Sequence, residues 1–242
     1  MLPHLTLRFL GLPQLQLNDQ PVSTDRRKAI ALLAYLAVND LERGFQKYSR
    51  EVLSALLWPE YEQAKAFSNL RNVIWEVHQA LGEGWLLADR ETVGLNADAD
   101  IALDVARFQD LLSQSRELSS PEGRVPLLLE ASRLYNNHFL TGFSLKDAYG
   151  FNEWAYTQSE DLRHKLVVAL ERLVEDYCSI GEAEKAILHA RRLVTLDPLN
   201  EASHRKLMEV YIQAGQPSSA LKQYQACEQI LRKELGLDPE PA

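Results

Sequence analysis

The 242-residue sequence predicts an α+β segment over residues 1–100, followed by an all-α segment of repeated helical hairpins over residues 101–242. Three observations predict it. Short runs of alternating apolar and polar residues bracket three helical patterns in the first hundred positions. Beyond them the apolar residues keep helical spacing, and strand signals are absent. Finally, Gly181 and Gly215 lie 34 residues apart, and Tyr177/Tyr211, Ala186/Ala220 and Ala190/Tyr224 keep that interval, as a repeated helical hairpin requires.

In chain order, Leu5 to Leu10 and Leu15 to Leu17 alternate as half-buried strands do, Asn18-Asp19 supplies a turn, and Pro21-Val22 begins a third antiparallel strand. Thr24 and Asp25 can cap a helix through Arg26, Arg27 and Lys28 to about Val38, with Ala29, Leu32, Leu33 and Leu36 on its apolar face. After a polar stretch containing Gly44, Ser49 caps a short helix from Arg50 to Leu57, which Pro59 ends. A third helix over 63–81 carries Phe67, Leu70, Ile74, Val77 and Leu81 on one face, and Gly82 stops it. Trp85-Leu86-Leu87 and Val93-Gly94-Leu95 flank Asp89-Arg90-Glu91 as a hairpin. Asn96 to Asp104, acidic and alanine-rich, reads as a linker or a first cap, since Asp104 can begin the next helix. Helices are then expected at about 104–117, 122–137, 147–178, 182–195, 199–214 and 217–235, with a turn at Gly142.

Composition narrows the function. A net charge of −8 argues against non-specific nucleic-acid binding by the whole chain, so any such surface must be local. Residues 1–100 carry ten Arg and Lys against thirteen Asp and Glu, a net of −3. No apolar run is long enough to span a bilayer and no signal-peptide layout opens the chain, so a cytoplasmic protein without membrane contact is expected. Cys178 and Cys227 lack metal or redox spacing and read as buried reduced thiols. Gly-rich phosphate loops, HExxH pairs and GxSxG elbows are missing, and the six histidines are scattered. Neither an enzyme nor a metal or other cofactor is expected.

The order of strands, three helices and a hairpin is that of a winged helix-turn-helix. Arg26-Arg27-Lys28-Ala29, Leu56-Leu57-Trp58-Pro59, Asn69-Leu70-Arg71, Ala80-Leu81-Gly82 and Thr92-Val93-Gly94-Leu95-Asn96 resemble successive motifs of the SARP-type transcriptional activators. Asp104 to Phe108, Leu134-Tyr135, Phe139 to Phe143, Glu153-Trp154 and Leu235 to Pro239 resemble the bacterial transcriptional activation domain that follows in that family. The resemblance covers nearly the whole chain. It implies an α+β winged helix-turn-helix DNA-binding domain at 1–100 and an all-α, tetratricopeptide-like helical repeat domain at 101–242. Arg232 stands where a full repeat offers proline, which suits a terminal repeat.

In that architecture the third helix enters the major groove of double-stranded DNA. At 100° per residue, Lys65, Ser68, Asn72, Trp75, Glu76 and Gln79 point outward, with Asn69 and Arg71 on the flanks. Asn72 and Gln79 suit adenine, Ser68 and Asn69 suit bases or phosphates, and Lys65 and Arg71 suit phosphates. Arg90 at the hairpin tip suits the minor groove. Trp75 suits a thymine methyl or a buried contact with the helical domain or a partner, and Glu76 suits a cytosine or repels phosphate. Glu76 and His78 stand where relatives usually offer arginine. Trp58, Pro59, Glu60 and Tyr61 form the loop through which such activators meet RNA polymerase, and equally read as a structural loop with Trp58 in the core. Tyr135, Phe139, Trp154 and Tyr156 read as helix packing. The expectation is a sequence-specific transcription regulator whose helical domain arranges partners or a homodimer. It reads as the front of a longer regulator, Asp238 to Ala242 being linker-like. The alternative is a protein-interaction module whose winged helix no longer binds DNA.

Overall fold

The computed structural model of the protein describes residues 3–24, 26–43 and 46–240. The expected cap Asp25, Gly44, and the end of the expected linker at Pro241-Ala242 lie outside them. Two compact units result, and each draws on two stretches of chain: Met1–Gln109 with Leu134–Leu162, and Asp110–Arg133 with Arg163–Ala242. The division expected at residue 100 follows the chain, whereas compactness does not.

In the first unit, β1 (His4–Arg8), β2 (Gln14–Leu17) and β3 (Gln20–Val22) pair antiparallel. Asn18 and Asp19 both take positive φ (50° and 62°), the conformation of a two-residue hairpin turn whose twist matches its strands. Asn96 to Asp104 is not the linker expected: Asp100–Leu103 forms β7, which pairs parallel with β1, Leu5 opposite Ile101 and Leu7 opposite Leu103. The sheet order is β3-β2-β1-β7. Acidic and alanine neighbours mask the short apolar alternation of Ile101 and Leu103 in the sequence.

Helix α1 (Arg27–Arg43) runs more than a turn beyond the expected end. Its burial is not confined to one face, since Ala29, Ala31, Leu32, Leu33, Ala34, Leu36, Ala37 and Val38 are all buried. A helix apolar on every side belongs inside a unit rather than on it. Helices α2 (Arg50–Leu57) and α3 (Gln63–Leu81) keep the expected bounds, Ser49 capping α2 by accepting from the Val52 N–H at 3.2 Å. The hairpin β5 (Leu86–Ala88) and β6 (Thr92–Leu95) gains a third strand, β4 (Tyr48–Ser49), with Tyr48 opposite Val93. Gly94 permits that approach, because a Cβ there would lie 2.8 Å from the Gln46 carbonyl oxygen.

The stretch 134–162 completes this unit. The Leu140 N–H donates to the Phe9 carbonyl (2.8 Å), the Thr141 N–H donates to that of Gly11 (3.0 Å), and Phe139 meets Phe9 edge to face. Trp154 has ring centroids of Tyr35, Phe151 and Phe139 within 5.0, 5.4 and 5.9 Å. Tyr135 and Phe139 are buried as expected, whereas Tyr156, expected to pack too, is 69% exposed. The carboxylate of Asp104, first residue of α4 (Asp104–Glu117), accepts from the Phe9, Leu10 and Val105 N–H groups at 2.8–2.9 Å.

The second unit is helical: the end of α4, α5 (Pro121–Leu134), the later part of α6 (Tyr149–Ser179), α7 (Ala183–Leu196), α8 (Glu201–Gln213) and α9 (Pro217–Leu235). The 34-residue interval is visible in its hydrogen bonds. Gly181 and Gly215 take φ of 79° and 71°, and the Glu182 and Gln216 N–H groups donate back to Tyr177 and Tyr211 at 2.8 and 2.7 Å. Ala186 and Ala220 are both buried, but Tyr224 is exposed where its counterpart Ala190 is buried, so the second hairpin keeps an open flank. Cys227 is buried; Cys178, expected to be, is only half-buried, and both thiols are free.

Candidate nucleic-acid interface

Helix α3 presents one polar face because its apolar residues are used up inward. Ala66, Leu70, Val73, Ile74, Val77 and Leu81 are buried, a stripe that includes Ala66 and Val73 in place of the half-buried Phe67. Gly82 ends the helix at φ 86°, and the indole N–H of buried Trp85 donates to the Leu81 carbonyl at 2.9 Å. The helix is thereby fixed at its C-terminal end.

The outward residues stand as the helical wheel predicts, with one exception. Lys65, Ser68, Arg71, Asn72, Trp75 and Gln79 are exposed, and Asn69 is half-buried on the flank. Trp75 is 63% exposed, so a contact burying it within its own chain is absent from this structure. The exception is Glu76. Its carboxylate accepts from the Thr24 hydroxyl (2.8 Å) and the Arg26 N–H (3.2 Å), and it pairs with the Arg26 guanidinium at 2.8 Å. Glu76 is therefore turned back towards the start of α1, away from any ligand on the open face. No sequence signal links positions 26 and 76, because fifty residues separate them.

Lys65 leans on the loop before α3, its ammonium 4.4 Å from the Tyr61 ring centroid. In that loop Pro59, Glu60 and Tyr61 are exposed but Trp58 is 6% exposed. The Lys28 ammonium sits 4.6 Å from the Trp58 ring and donates to the Leu57 carbonyl at 2.6 Å; burial holds its pKa below the ordinary lysine value despite nearby Asp147. Of the two readings of Trp58, the core one stands.

The hairpin tip is built by Asp89. Its carboxylate accepts from the Glu91 N–H (2.9 Å), the Thr92 N–H (2.7 Å) and the Thr92 hydroxyl (2.8 Å), with Lys47 at 3.4 Å. Those backbone donors, first that of Glu91, hold its pKa far below the usual carboxylate range. The Arg50 guanidinium donates to the Asp89 carbonyl at 2.8 Å, which ties the tip to α2. Arg90 projects from this braced turn and is exposed. Among the described residues no group of His, Cys, Asp and Glu could hold a metal ion, and no helix is long and apolar enough to cross a membrane.

Comparison with known proteins bears on the rest of the chain. The profile of the bacterial transcriptional activator domain matches residues 103–242, more than half the length. The chain belongs to that family. The bacterial transcriptional activator domain thus begins within one residue of α4 and includes the stretch 134–162 that completes the first unit. The chain is also 27% identical, over 240 residues and 97% of its length, to the regulatory protein AfsR of Streptomyces coelicolor, of which it spans 23%. Its fold is similar to that of Mycobacterium tuberculosis EmbR, solved in complex with a low-affinity phosphopeptide, with a TM-score of 0.74 and 22% identity, covering 99% of this chain and 62% of that one. A mixed α+β region followed by helices is common to both folds. These likenesses support the SARP-type resemblance, and the relatives that carry the domain are transcriptional regulators.

Proposed function

We propose that the protein is the DNA-binding and partner-arranging part of a cytoplasmic transcription activator. Residues 1–100 act as a winged helix-turn-helix and residues 101–242 as a tetratricopeptide-like activation domain. Helix α3 lies in the major groove, where Asn72 and Gln79 read adenine edges, Ser68 and Asn69 meet bases or backbone, and Lys65 and Arg71 meet phosphates. Trp75 packs on a thymine methyl, and Arg90 enters the minor groove from the hairpin tip. The exposed loop residues Pro59, Glu60 and Tyr61 meet RNA polymerase, and the helical unit supports a homodimer.

One observation carries this reading: the only acid of α3, Glu76, is withdrawn to Arg26 and Thr24, which leaves Lys65 and Arg71 as the charges of its exposed face. A polyanion is repelled by a carboxylate it faces, not by one already paired behind the helix. The test is a titration of duplex selected from a random pool, at several salt concentrations. Affinity should fall with salt and exceed that for random duplex, and Asn72→Ala should relax the preference at one position by about 1–3 kcal/mol. Equal, salt-insensitive binding to every duplex overturns the reading. The exposed Trp75 ring favours a second one, a protein partner on the same face, which predicts no duplex binding and a partner lost in Trp75→Ala.

A further inference from the structure

An open cleft of about 610 Å³ lies beside α3 in the first unit, lined by Arg26, Arg27, Lys28, Lys146, Asn69 and Trp58 among others. Its cations come from two stretches more than a hundred residues apart, and among the described residues no carboxylate lines it. Glu76 stands behind Arg26 and Asp147 near Lys28, so the four positive charges keep an excess. The walls are braced. The Arg27 guanidinium donates to the Ser144 carbonyl at 3.1 Å and lies 4.6 Å from the Phe143 ring centroid, while Lys28 is held by the Leu57 carbonyl and the Trp58 ring. Arg26 keeps half its side chain exposed, and Lys146 is exposed without an ion pair among the described residues.

We infer that this cleft is a phosphate clamp for the duplex that α3 reads, and that Lys146, from the activator-domain stretch, is its free cation. The inference rests on the duplex-binding reading above. Asn69 makes the connection, because it belongs both to the flank of α3 and to the lining of the cleft. A backbone strand following the groove past Asn69 meets the basic cleft next, in a unit whose first hundred residues are otherwise net acidic. Fixed guanidinium groups and a mobile ammonium are suited to a phosphate that positions the duplex without reading it.

Each phosphate contact contributes about 0.9 to the slope of log affinity against log salt. Lys146→Ala should therefore lower that slope by about one and weaken selected and random duplex alike, by roughly eightfold at 0.1 M salt. Lys146→Arg should keep the slope, and Lys146→Glu should lower it further. Because Lys146 is exposed and unpaired, these variants should fold as the wild type does, checked by thermal unfolding. An unchanged slope in Lys146→Ala and Lys146→Glu, with Asn72→Ala still relaxing the preference, overturns the clamp and leaves the α3 reading standing. A loss confined to the selected duplex also overturns it, since that is base readout. Stabilisation by inorganic phosphate that requires Lys146, with no change of slope, assigns the cleft to a free anion and overturns it too. Absence of any salt-dependent duplex binding in the wild type removes both.

Discussion

Asp104→Ala offers the sharpest test of how the first unit is held. The Asp104 carboxylate, at the start of α4, accepts from three backbone N–H groups at once: its own helix cap at Val105, and Phe9 and Leu10 just past β1. Phe9 and Leu10 are buried, so truncation strands two donors where water cannot replace the lost oxygen. Each stranded donor costs about 1–3 kcal/mol, and the lost cap about 1 kcal/mol more; allowing for the relief of burying one charge fewer, the loss should be about 3–5 kcal/mol. Asp104→Asn keeps one acceptor oxygen and should lose about 1–2 kcal/mol. Urea unfolding followed by intrinsic fluorescence measures this unit alone, since Trp58, Trp75, Trp85 and Trp154 all lie within it. Burial raises the Asp104 pKa, against the pull of the backbone donors. The native state thus binds its proton at higher pH than the unfolded chain, and the wild type should gain stability from this group as pH falls towards about 4. Asp104→Asn should lack that gain. A loss below about 1 kcal/mol in Asp104→Ala, or equal losses in the two variants, refutes the argument that unfilled donors set the cost.

Gly94→Ala drives a Cβ against the Gln46 carbonyl oxygen, 2.8 Å away, and should cost about 1–3 kcal/mol in the same fluorescence assay; a neutral result means that β4 moves freely off β6. Asp40, at the end of α1, has its pKa raised to about 6 by burial, only partly countered by the Gln46 N–H. Its contribution to stability should fall as pH rises from about 4 to 6, and Asp40→Asn should flatten the profile there by on the order of 1 kcal/mol after solvent screening. Unfolding midpoints at pH 4 and 7 that shift equally in both proteins exclude this origin. Trp75→Ala, at an exposed ring, should change stability by no more than about 0.5 kcal/mol; a larger loss shows that the ring packs against its own chain in solution.

Much of this architecture was legible in the sequence wherever one local rule decided it. Ser49 and Pro59 bracket α2, Gly82 ends α3, and the repeated Gly181 and Gly215 fix the two hairpin turns, each through backbone chemistry confined to a few residues. What escaped was decided by partners remote in sequence. Tyr48-Ser49 is too short to announce itself and becomes β4 only because Val93 lies opposite. The Asp100–Leu103 strand exists because β1 offers a parallel edge. Local periodicity put the start of α1 on one face, yet the residues that bury its other sides, Trp154 among them, come from more than a hundred positions away. The same limit governs the candidate interface. A helical wheel turned Asn72, Trp75 and Gln79 outward correctly, but it could not know that Arg26 would draw Glu76 aside or that Lys28 would cover Trp58.

The acid excess of the first hundred residues looked incompatible with a polyanionic partner, and the structure changes what that excess means. Asp89 is folded into its own turn, Glu76 is paired with Arg26, and Asp40 is buried. None of these three carboxylates stands open on the exposed face of α3. Coulombic attraction falls steeply with distance in salt, over a Debye length of about 8–10 Å, so a duplex lying at α3, as proposed, would respond to the nearest charges, Lys65, Arg71 and the cleft cations with Glu60 and Glu62 at the helix start, rather than to a formal sum. Glu76→Gln, which also releases Arg26 beside the cleft, should therefore strengthen duplex binding by no more than the roughly eightfold of one phosphate contact, whereas Ser68→Glu, which adds a carboxylate to the open face, should abolish it. Strengthening of binding by Glu76→Gln of tenfold or more would show that the acid acts on the ligand from where it sits, and the argument from withdrawal would fail.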